Sequence, residues 1–347
     1  YALGCGRPAV ATPTSYAKYV INGRNGMLVK FKQPRVIGAA LIKLLSDEKL
    51  VFSMSREAYE TTRKMIWPNV AAAYFKLYKK LADIGEEERK LPEIKFNHLI
   101  AMTDNFGIMH HSRYSKPARR FGYSLDDNTR ALIAVAEYYE KNPRQELLGL
   151  MKIYLKFVKF VQRPSGHFAN IVSFKKKRDE TIDGDVQGRA IWAMGYIASR
   201  NFLPAEITKP AKKIFIKSLK YAPRLKAPRA VAFAMTGLYF YLLKFSNPRL
   251  LKLFRSFADF EVNLYKKTSI SGEWHWFEEQ LTYSNSKLPE SLYYAYHLTR
   301  DNKYLQVAEK TLNFLSQITF ENGNYVPIGQ NGWYFRHKKR AYFDQQP

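Results

Sequence analysis

The chain has 347 residues, of which 46% are apolar and 15% aromatic, so it is long enough for two domains and cannot be disordered throughout. Its one cysteine, Cys5, excludes an internal disulfide framework and is typical of a reducing compartment. Lys and Arg total 56 against 30 Asp and Glu, and this net charge of +26 indicates either polyanionic surroundings or the amino-acid usage of the source.

No stretch of the sequence predicts a transmembrane helix. The longest apolar stretch, residues 230–243, has about 14 residues, whereas a bilayer needs about 20, so it predicts a buried helix. The sequence starts at Tyr1 and has no signal-peptide pattern. We therefore expect a fragment of a cytoplasmic protein, and the positive charge leaves peripheral contact with an anionic membrane surface open.

The first 82 residues have an α/β pattern. Residues 8–12 are a short apolar run after a glycine-rich turn, and NGRNGMLVKF at 22–31 predicts a turn followed by a strand. Residues 19–21 are another short apolar piece. Apolar residues at helical spacing predict helices over 37–45 and 70–81.

Four motifs in this part resemble a known family. ALGCGRPAVAT, YVINGRNGMLV, ALIKLLSDEKL and WPNVAAAYFKLYKKL keep the order and spacing of the C-terminal end of GT-B glycosyltransferases of family 4, over residues 1–82. The resemblance implies part of a Rossmann-like donor domain, and a nucleotide-sugar donor for the full-length parent. The two glutamates that contact the donor in that family lie ahead of the position of Tyr1. We therefore expect no sugar transfer by this segment and no cofactor in this chain.

The rest of the chain is predicted to be helical. Residues 83–95 are polar, charged and end near a proline, so we place a linker there and a second domain over 96–347. Helices rich in small apolar residues are predicted to begin near Asp126, Val186, Pro228 and Pro289. Each is followed by a basic amphipathic helix, at 145–161, 206–221, 248–264 and 303–316. This repeat of helical hairpins predicts an (α/α) toroid with an inner and an outer ring.

The loops of this part carry motifs that resemble the six-hairpin glycosidase-like domain found after some family-4 glycosyltransferases. They include TDNFGIMHHSRYSKP, GYSLDDNTRAL, DGDVQGRAIWAMG and GEWHWFEEQLTYSNSKLPESL. Gln187 stands where that domain has a histidine. The predicted fold class is therefore mainly α, an incomplete six-hairpin toroid preceded by the α/β segment, and we expect truncation at the C-terminus as well.

Carboxylates and aromatic residues cluster at the predicted starts of the inner helices. Cleavage of a glycosidic bond needs two carboxylates, one as acid and one as base or nucleophile. The catalytic candidates are Asp126, Asp127, Asp185, Glu273 and Glu279. The substrate-binding candidates are Tyr123, Asn128, Arg189, Trp274, His275, Trp276, Tyr283 and Asn285.

Each candidate also has a structural interpretation. Asp126 or Asp127 is equally explained as a helix cap, and the spacing Asp-x-x-x-Arg at Asp126 and Asp185 is that of ion pairs within a helix. Trp276 and His275 are better explained as packed residues, and Glu278 or Glu279 as the partner of an arginine. His110 and His111 are adjacent, so we expect their rings to point apart and predict no metal site.

The sequence is consistent with three functions. The first, towards which the sequence leans, is an enzyme that hydrolyses or phosphorolyses a glycan with paired carboxylates. The second is a non-catalytic glycan-binding module that serves the transferase. The third is a basic helical array that binds a polyanion. The basic runs at 175–178 and 209–213 fall in a loop and on an outer helix, which argues against a nucleic-acid groove. The sugar, the linkage, the stereochemical outcome and the oligomeric state stay open.

Overall fold

The computed structural model describes residues 2–81, 93–269 and 272–342, and the chain divides into two compact units, Tyr1–Glu93 and Ile94–Pro347. Most of the predicted linker, residues 83–92, lies outside the described residues. No helix of the described part is long and apolar enough to cross a bilayer.

The first unit combines a short parallel sheet with helices. Its elements are β1 Ala9–Ala11, α1 Ser15–Val20, β2 Gly26–Leu28, α2 Pro34–Ser46, α3 Glu48–Thr62 and α4 Trp67–Leu81. Strands β1 and β2 pair in parallel, with Ala9 opposite Gly26. Both strands were predicted. Residues 19–21, predicted only as a short apolar piece, form the end of helix α1 and its C-cap, Ile21. Helix α3 was not predicted separately.

The first unit buries little apolar surface of its own. Its core is formed by Leu3, Ala17, Ile21 and Ala58. Large apolar side chains such as Leu45, Phe52 and Trp67 are exposed. The unit therefore has the secondary structure of an α/β domain with a small core.

The second unit consists of helical hairpins, as the sequence predicts. Its helices are α5 Asn97–Met102, α6 Leu125–Lys141, α7 Gln145–Val161, α8 Gly184–Ser199, α9 Ala205–Ser218, α10 Pro228–Lys244, α11 Pro248–Thr268, α12 Lys287–Thr299 and α13 Asn302–Thr319. From α6 onward, each even-numbered helix packs against the odd-numbered helix that follows it, and the even-numbered helices pack against one another in chain order. The even-numbered helices are therefore the inner ring and the odd-numbered ones the outer ring.

The inner helices approach closely because small residues face each other. A Cβ atom at Gly237 on α10 would lie 2.7 Å from the Cα of Trp192 on α8, and one at Gly195 would lie 2.7 Å from the carbonyl carbon of Gly237. Gly188 contacts Ala230 in the same way, nearer the start of both helices. These contacts run in the same direction along both helices, so α8 and α10 are parallel and begin at the same end of the ring.

The strands of this unit are short. They are β3 Ser112–Arg113, β4 Lys116–Pro117, β5 Tyr123–Ser124, β6 Ile171–Val172, β7 Gln280–Leu281, β8 Phe320–Glu321, β9 Asn324–Tyr325 and β10 Tyr334–Phe335. Strand β5 pairs with β6, and single bridges extend this pairing from Met109 to Tyr123 and from Val172 to Arg178. This small sheet leads directly into helix α6.

Candidate functional site

The start of helix α6 places two carboxylates in its first turn. Ser124 is the N-cap, because its Oγ accepts a hydrogen bond from the Asp127 backbone N–H at 3.0 Å. The alternative that Asp126 or Asp127 caps the helix is therefore wrong. Both carboxylates lie beside the free N–H groups of the first turn, where the helix dipole favours negative charge.

Asp127 is paired with a histidine that the sequence did not link to it. The Nδ1 of His110 lies 2.6 Å from Asp127 Oδ2, and Ser124 Oγ donates to the same oxygen at 2.6 Å. About a third of each side chain of the His–Asp pair is exposed, 32% and 30%. The rings of His110 and His111 are in contact, with centroids 4.0 Å apart, so the expectation that they point apart is wrong. The described residues contain no group of three potential metal ligands.

Asp126 forms ion pairs within its own helix and across to the next inner helix. Arg130 Nη2 lies 3.0 Å from Asp126 Oδ2, which is the predicted pair within a helix. Arg189 of α8 lies 3.3 Å from Asp126 Oδ1, so its partner is on α6 rather than at Asp185. Burial raises the pKa of Asp126, although both arginines act to lower it.

Asp185 lies in the first turn of α8. Asp183 is the N-cap of that helix, and its carboxylate accepts hydrogen bonds from the N–H groups of Asp185 and Val186 at 2.9 and 3.2 Å. The hydroxyl of Tyr283, which precedes α12, donates to Asp185 Oδ2. Burial and the neighbouring carboxylate raise the pKa of Tyr283, so this hydroxyl stays protonated and acts as a donor.

Arg229, at the start of α10, connects α10 to the loop before α12. Its guanidinium donates to Glu278 Oε2 at 2.5 Å, to the Tyr283 carbonyl at 2.7 Å and to Asn285 Oδ1 at 3.2 Å. An arginine partner for Glu278 or Glu279 was predicted from the sequence, but Arg229 was not selected. The signal is present in the sequence: a single arginine opens a helix that is otherwise apolar for several turns.

These residues meet at one end of the inner ring, where α6, α8, α10 and α12 begin. We call this end the mouth, and we call six of its side chains the mouth cluster: Asp126, Asp185, Arg189, Arg229, Glu278 and Tyr283. The mouth cluster contains three carboxylates and two guanidinium groups. The structure therefore brings together parts of four helix starts that are far apart in the sequence.

An aromatic face lies next to the cluster. The guanidinium of Arg189 lies 4.3 Å from the centre of the Phe233 ring. The rings of Phe233 and Trp192 are stacked, with centroids 5.9 Å apart and 7° between their planes. Lys287, the first residue of α12, places its ammonium group 4.4 Å from the Trp192 ring. Trp192 was not among the predicted site residues, although it lies one turn after Arg189.

The tryptophans that were predicted to stack on sugars lie elsewhere. Trp276 is fully buried and Trp274 is 5% exposed, so neither ring has a free face. Both pack near Phe314 of the outer helix α13. His275 contacts the same ring, and its Nδ1 lies 3.4 Å from the Tyr265 hydroxyl. The burial of Trp274 and Trp276 argues against their predicted stacking on a sugar, whereas the predicted role of the half-buried His275 stays a prediction.

The two glutamates predicted to oppose the aspartates are also not at the mouth cluster. Glu279 is 65% exposed and forms an ion pair with Arg336 at 3.4 Å. Its neighbours Gln280 and Leu281 form strand β7, which pairs with β10. Glu273 is exposed in the loop before Trp274 and has no ion-pair partner in the described part of the chain. Glu278, next to Glu279, is the glutamate of this loop that joins the cluster.

Three predicted binding residues are held by hydrogen bonds within the protein, and two of them, Tyr123 and Asn128, are buried. Tyr123 is 2% exposed and donates to Asp104 Oδ2 at 2.6 Å. Asn128 is fully buried, and its amide binds the backbone of Ile108 and Ser124. Asn285 binds the backbone of its own turn and Arg229.

Gln187 has a supporting role as well. It is buried, and its side-chain amide exchanges two hydrogen bonds of 2.8 Å with the backbone of Phe168. It therefore fixes the loop after α7.

Comparison with known proteins separates two kinds of likeness. No family model matches the chain. The chain is 34% identical over 92 residues, 26% of its length, to D-inositol 3-phosphate glycosyltransferase of Corynebacterium jeikeium, covering 22% of that protein. It is 26% identical over 82 residues, 23% of its length, to an uncharacterized glycosyltransferase of Methanocaldococcus jannaschii, covering 23% of that protein. The chain thus spans less than a quarter of these relatives.

The likeness to solved structures concerns the toroid fold. Cellobiose 2-epimerase from Bacillus thermoamylovorans aligns with a TM-score of 0.52 at 11% identity, covering 78% of both chains. A D-mannose isomerase aligns with a TM-score of 0.50 at 12% identity, covering 69% of this chain and 72% of its own. The predicted fold class is confirmed. The chain combines glycosyltransferase-like sequence with an (α/α) toroid.

Proposed function

We propose that this is a carbohydrate-active protein whose toroid binds a sugar or glycan at the mouth and cleaves its glycosidic bond by hydrolysis or phosphorolysis. One observation carries the proposal. Two buried polar atoms at the mouth, Asp126 Oδ1 and Trp192 Nε1, accept or donate no hydrogen bond in the described part of the chain, and Oδ1 has only its ion-pair contact with Arg189 at 3.3 Å. One is an acceptor and the other a donor. A sugar hydroxyl both donates and accepts, so sugar hydroxyls are suited to satisfy the two atoms.

The chemistry needs an acid and a base or nucleophile. Burial raises the pKa of Asp126, which favours the protonated carboxyl that a general acid requires. Asp185 is oriented by the Tyr283 hydroxyl and is the candidate for the second role. Burial lowers the pKa of Arg189, while the charges of Asp126 and Asp185 act to raise it, so the guanidinium lies within electrostatic reach of both carboxylates. We assign Asp126 as the acid and Asp185 as the base or nucleophile.

The aromatic face supplies the remaining requirement of a sugar site. Trp192 is half-buried, and its indole contacts both the Phe233 ring and the Lys287 ammonium group. Aromatic rings of this kind stack on the apolar faces of sugar rings, while their N–H groups bind hydroxyls. The face lies one helical turn from Arg189, so one sugar can contact both it and the cluster.

A second candidate reaction is sugar isomerisation or epimerisation. The observation that favours it is the His110–Asp127 pair, in which the carboxylate holds Nδ1 and leaves Nε2 available as a base. Two proteins with a similar fold are a sugar isomerase and a sugar epimerase by name. Such a reaction would move a proton next to a sugar carbonyl and would not need a carboxylate pair.

The experiment is a glycan and monosaccharide screen on the full chain in heavy water, read by NMR. Cleavage releases new reducing ends, whereas isomerisation or epimerisation introduces solvent deuterium next to the carbonyl. Under the main proposal, Asp126→Asn and Asp185→Asn each lower the cleavage rate by about 10²–10⁴-fold while sugar binding persists. Glu279→Gln is the matched control, because this exposed carboxylate lies away from the cluster. Binding without any product would make the toroid a non-catalytic glycan-binding module.

A further inference from the structure

A strongly basic surface lies on two loops that flank strand β5. One is the β3–β4 hairpin with the residues that follow it, and the other is the turn after β6. Together they expose seven cationic side chains: Arg113, Lys116, Arg119, Arg120, Lys175, Lys176 and Lys177. We call these side chains, with Tyr114 and Phe174 among them, the basic face.

The two loops form one surface because they are joined through the small sheet. Tyr123, which follows the first loop, pairs with Val172, which precedes the second. The ring of Tyr123 is stacked on that of Phe174 with centroids 6.3 Å apart. The guanidinium of Arg119 reaches across to the same Phe174 ring, at 5.1 Å. The two loops therefore present their cations on one surface.

The basic face has no internal counter-charge. Residues 111–121 and 173–178 contain no Asp or Glu. In the described part of the chain none of the seven cations forms an ion pair, whereas Lys152, Arg163 and Lys303 each pair with a carboxylate. Like charges held together in this way repel one another, and an anionic partner relieves that repulsion.

An exposed aromatic residue stands at the tip of the hairpin. Tyr114 is 92% exposed, and its φ of 54° lies in the left-handed region, where glycine or asparagine is favoured. Neither burial nor local conformation explains a tyrosine at this position. Phe174 is also partly exposed, at 40%. Aromatic rings among lysines and arginines are typical of surfaces that enter the headgroup region of a bilayer.

We propose that the basic face docks the toroid on an anionic membrane surface. The cations bind lipid phosphates, and Tyr114 enters the interfacial layer. The hairpin also lines a concave space of about 580 Å³, which accommodates a headgroup. A single-stranded nucleic acid is the less suitable partner, because it needs several aromatic rings along one groove for successive bases, whereas Tyr114 projects from a tip. This inference does not depend on the mouth cluster or on its chemistry.

The test is cosedimentation of the full chain with large vesicles of 70% phosphatidylcholine and 30% phosphatidylglycerol, and with pure phosphatidylcholine vesicles. We expect binding to the anionic vesicles only, and weaker binding at 0.5 M salt. Replacing Lys175, Lys176 and Lys177 by Gln should lower the partition coefficient by about 100-fold, since each cation near an anionic surface accounts for about fivefold.

The matched control removes three exposed lysines from the outer helices, with Lys209, Lys213 and Lys252 replaced by Gln. It has the same net charge as the first variant and should lose less than about fivefold. Tyr114→Ser should weaken binding by a factor that persists at 0.5 M salt, because salt screens charges but not the burial of a ring.

Three results would overturn the inference. They are absence of binding to the anionic vesicles, equal losses in the two triple variants, or binding of a single-stranded oligonucleotide in the absence of vesicle binding. The second would mean that only net charge matters, and the third that the partner is a nucleic acid.

Discussion

The contact between helices α8 and α10 predicts opposite effects for the same substitution at two glycines. At Gly237 an added Cβ would lie 2.7 Å from the Trp192 Cα, and the atoms in its way belong to the backbone. Side chains cannot rotate to make room, so the helices must move apart. At Gly149, an exposed glycine in the second turn of α7, nothing lies within 4 Å of the added atom.

Both substitutions to Ala gain helix propensity of about 0.5–1 kcal/mol. Only Gly237→Ala adds the cost of overpacking, about 1–3 kcal/mol. The difference between the two variants isolates that cost, because the propensity term cancels. For a unit of this size, each kcal/mol shifts the melting temperature by about 2–4 °C, so we expect Gly237→Ala to melt about 2–12 °C below Gly149→Ala.

The assay is thermal unfolding of the full chain, followed by tryptophan fluorescence and by circular dichroism at 222 nm. Four of the five tryptophans, Trp192 among them, lie in the toroid unit, so fluorescence reports mainly on that unit. Gly237→Ala should also weaken sugar binding, because Arg189 and Trp192 lie on the helix that is displaced. Equal melting temperatures for the two variants would refute the close backbone contact of α8 and α10.

Three further predictions follow from buried charges. Glu261 is fully buried, and burial raises its pKa well above the usual value. As pH rises above about 4.3, the unfolded chain loses the proton of this carboxyl while the folded chain retains it. The free energy of unfolding therefore falls as pH rises above that value. Glu261→Gln should therefore raise the melting temperature more at pH 8 than at pH 5, and a constant difference would contradict this. Arg229→Ala leaves Glu278 and the Tyr283 carbonyl without their partner and should cost about 2–4 kcal/mol in chemical unfolding, more than Arg229→Lys. If Asp126 is the acid, the cleavage rate at saturating substrate should fall as pH rises through its raised pKa, and loss of this alkaline limb in Asp126→Asn, measured on the residual activity, checks it.

The helices could be predicted from the sequence because their signals are local. The periodicity at 145–161 gave helix α7 with its observed bounds, Gln145–Val161, and the small residues of α8 and α10 indicated close packing. The carboxylates at the starts of α6 and α8 were found for the same reason. Helix-start chemistry is written within a few residues of the helix it begins.

The partners of those carboxylates could not be predicted, because they come from other helices. Spacing alone paired Arg189 with Asp185, one turn away, whereas the folded chain pairs it with Asp126. The loop before α12 shows the same limit. Trp276 and Tyr283 are equally aromatic in the sequence, but one half of the loop packs under the outer ring and the other half reaches the mouth.

Ser124 belongs to strand β5 and is also the N-cap of helix α6, and this has a consequence for the kinetics of folding. Its strand partner is Ile171, and the Leu125 N–H binds the Asn170 carbonyl at 2.8 Å, so the start of α6 is held by residues that follow α7. The helix can form from local contacts, but the first turn with Asp126 takes its final position only after that longer loop has closed. During refolding, helical signal should therefore return before sugar binding does.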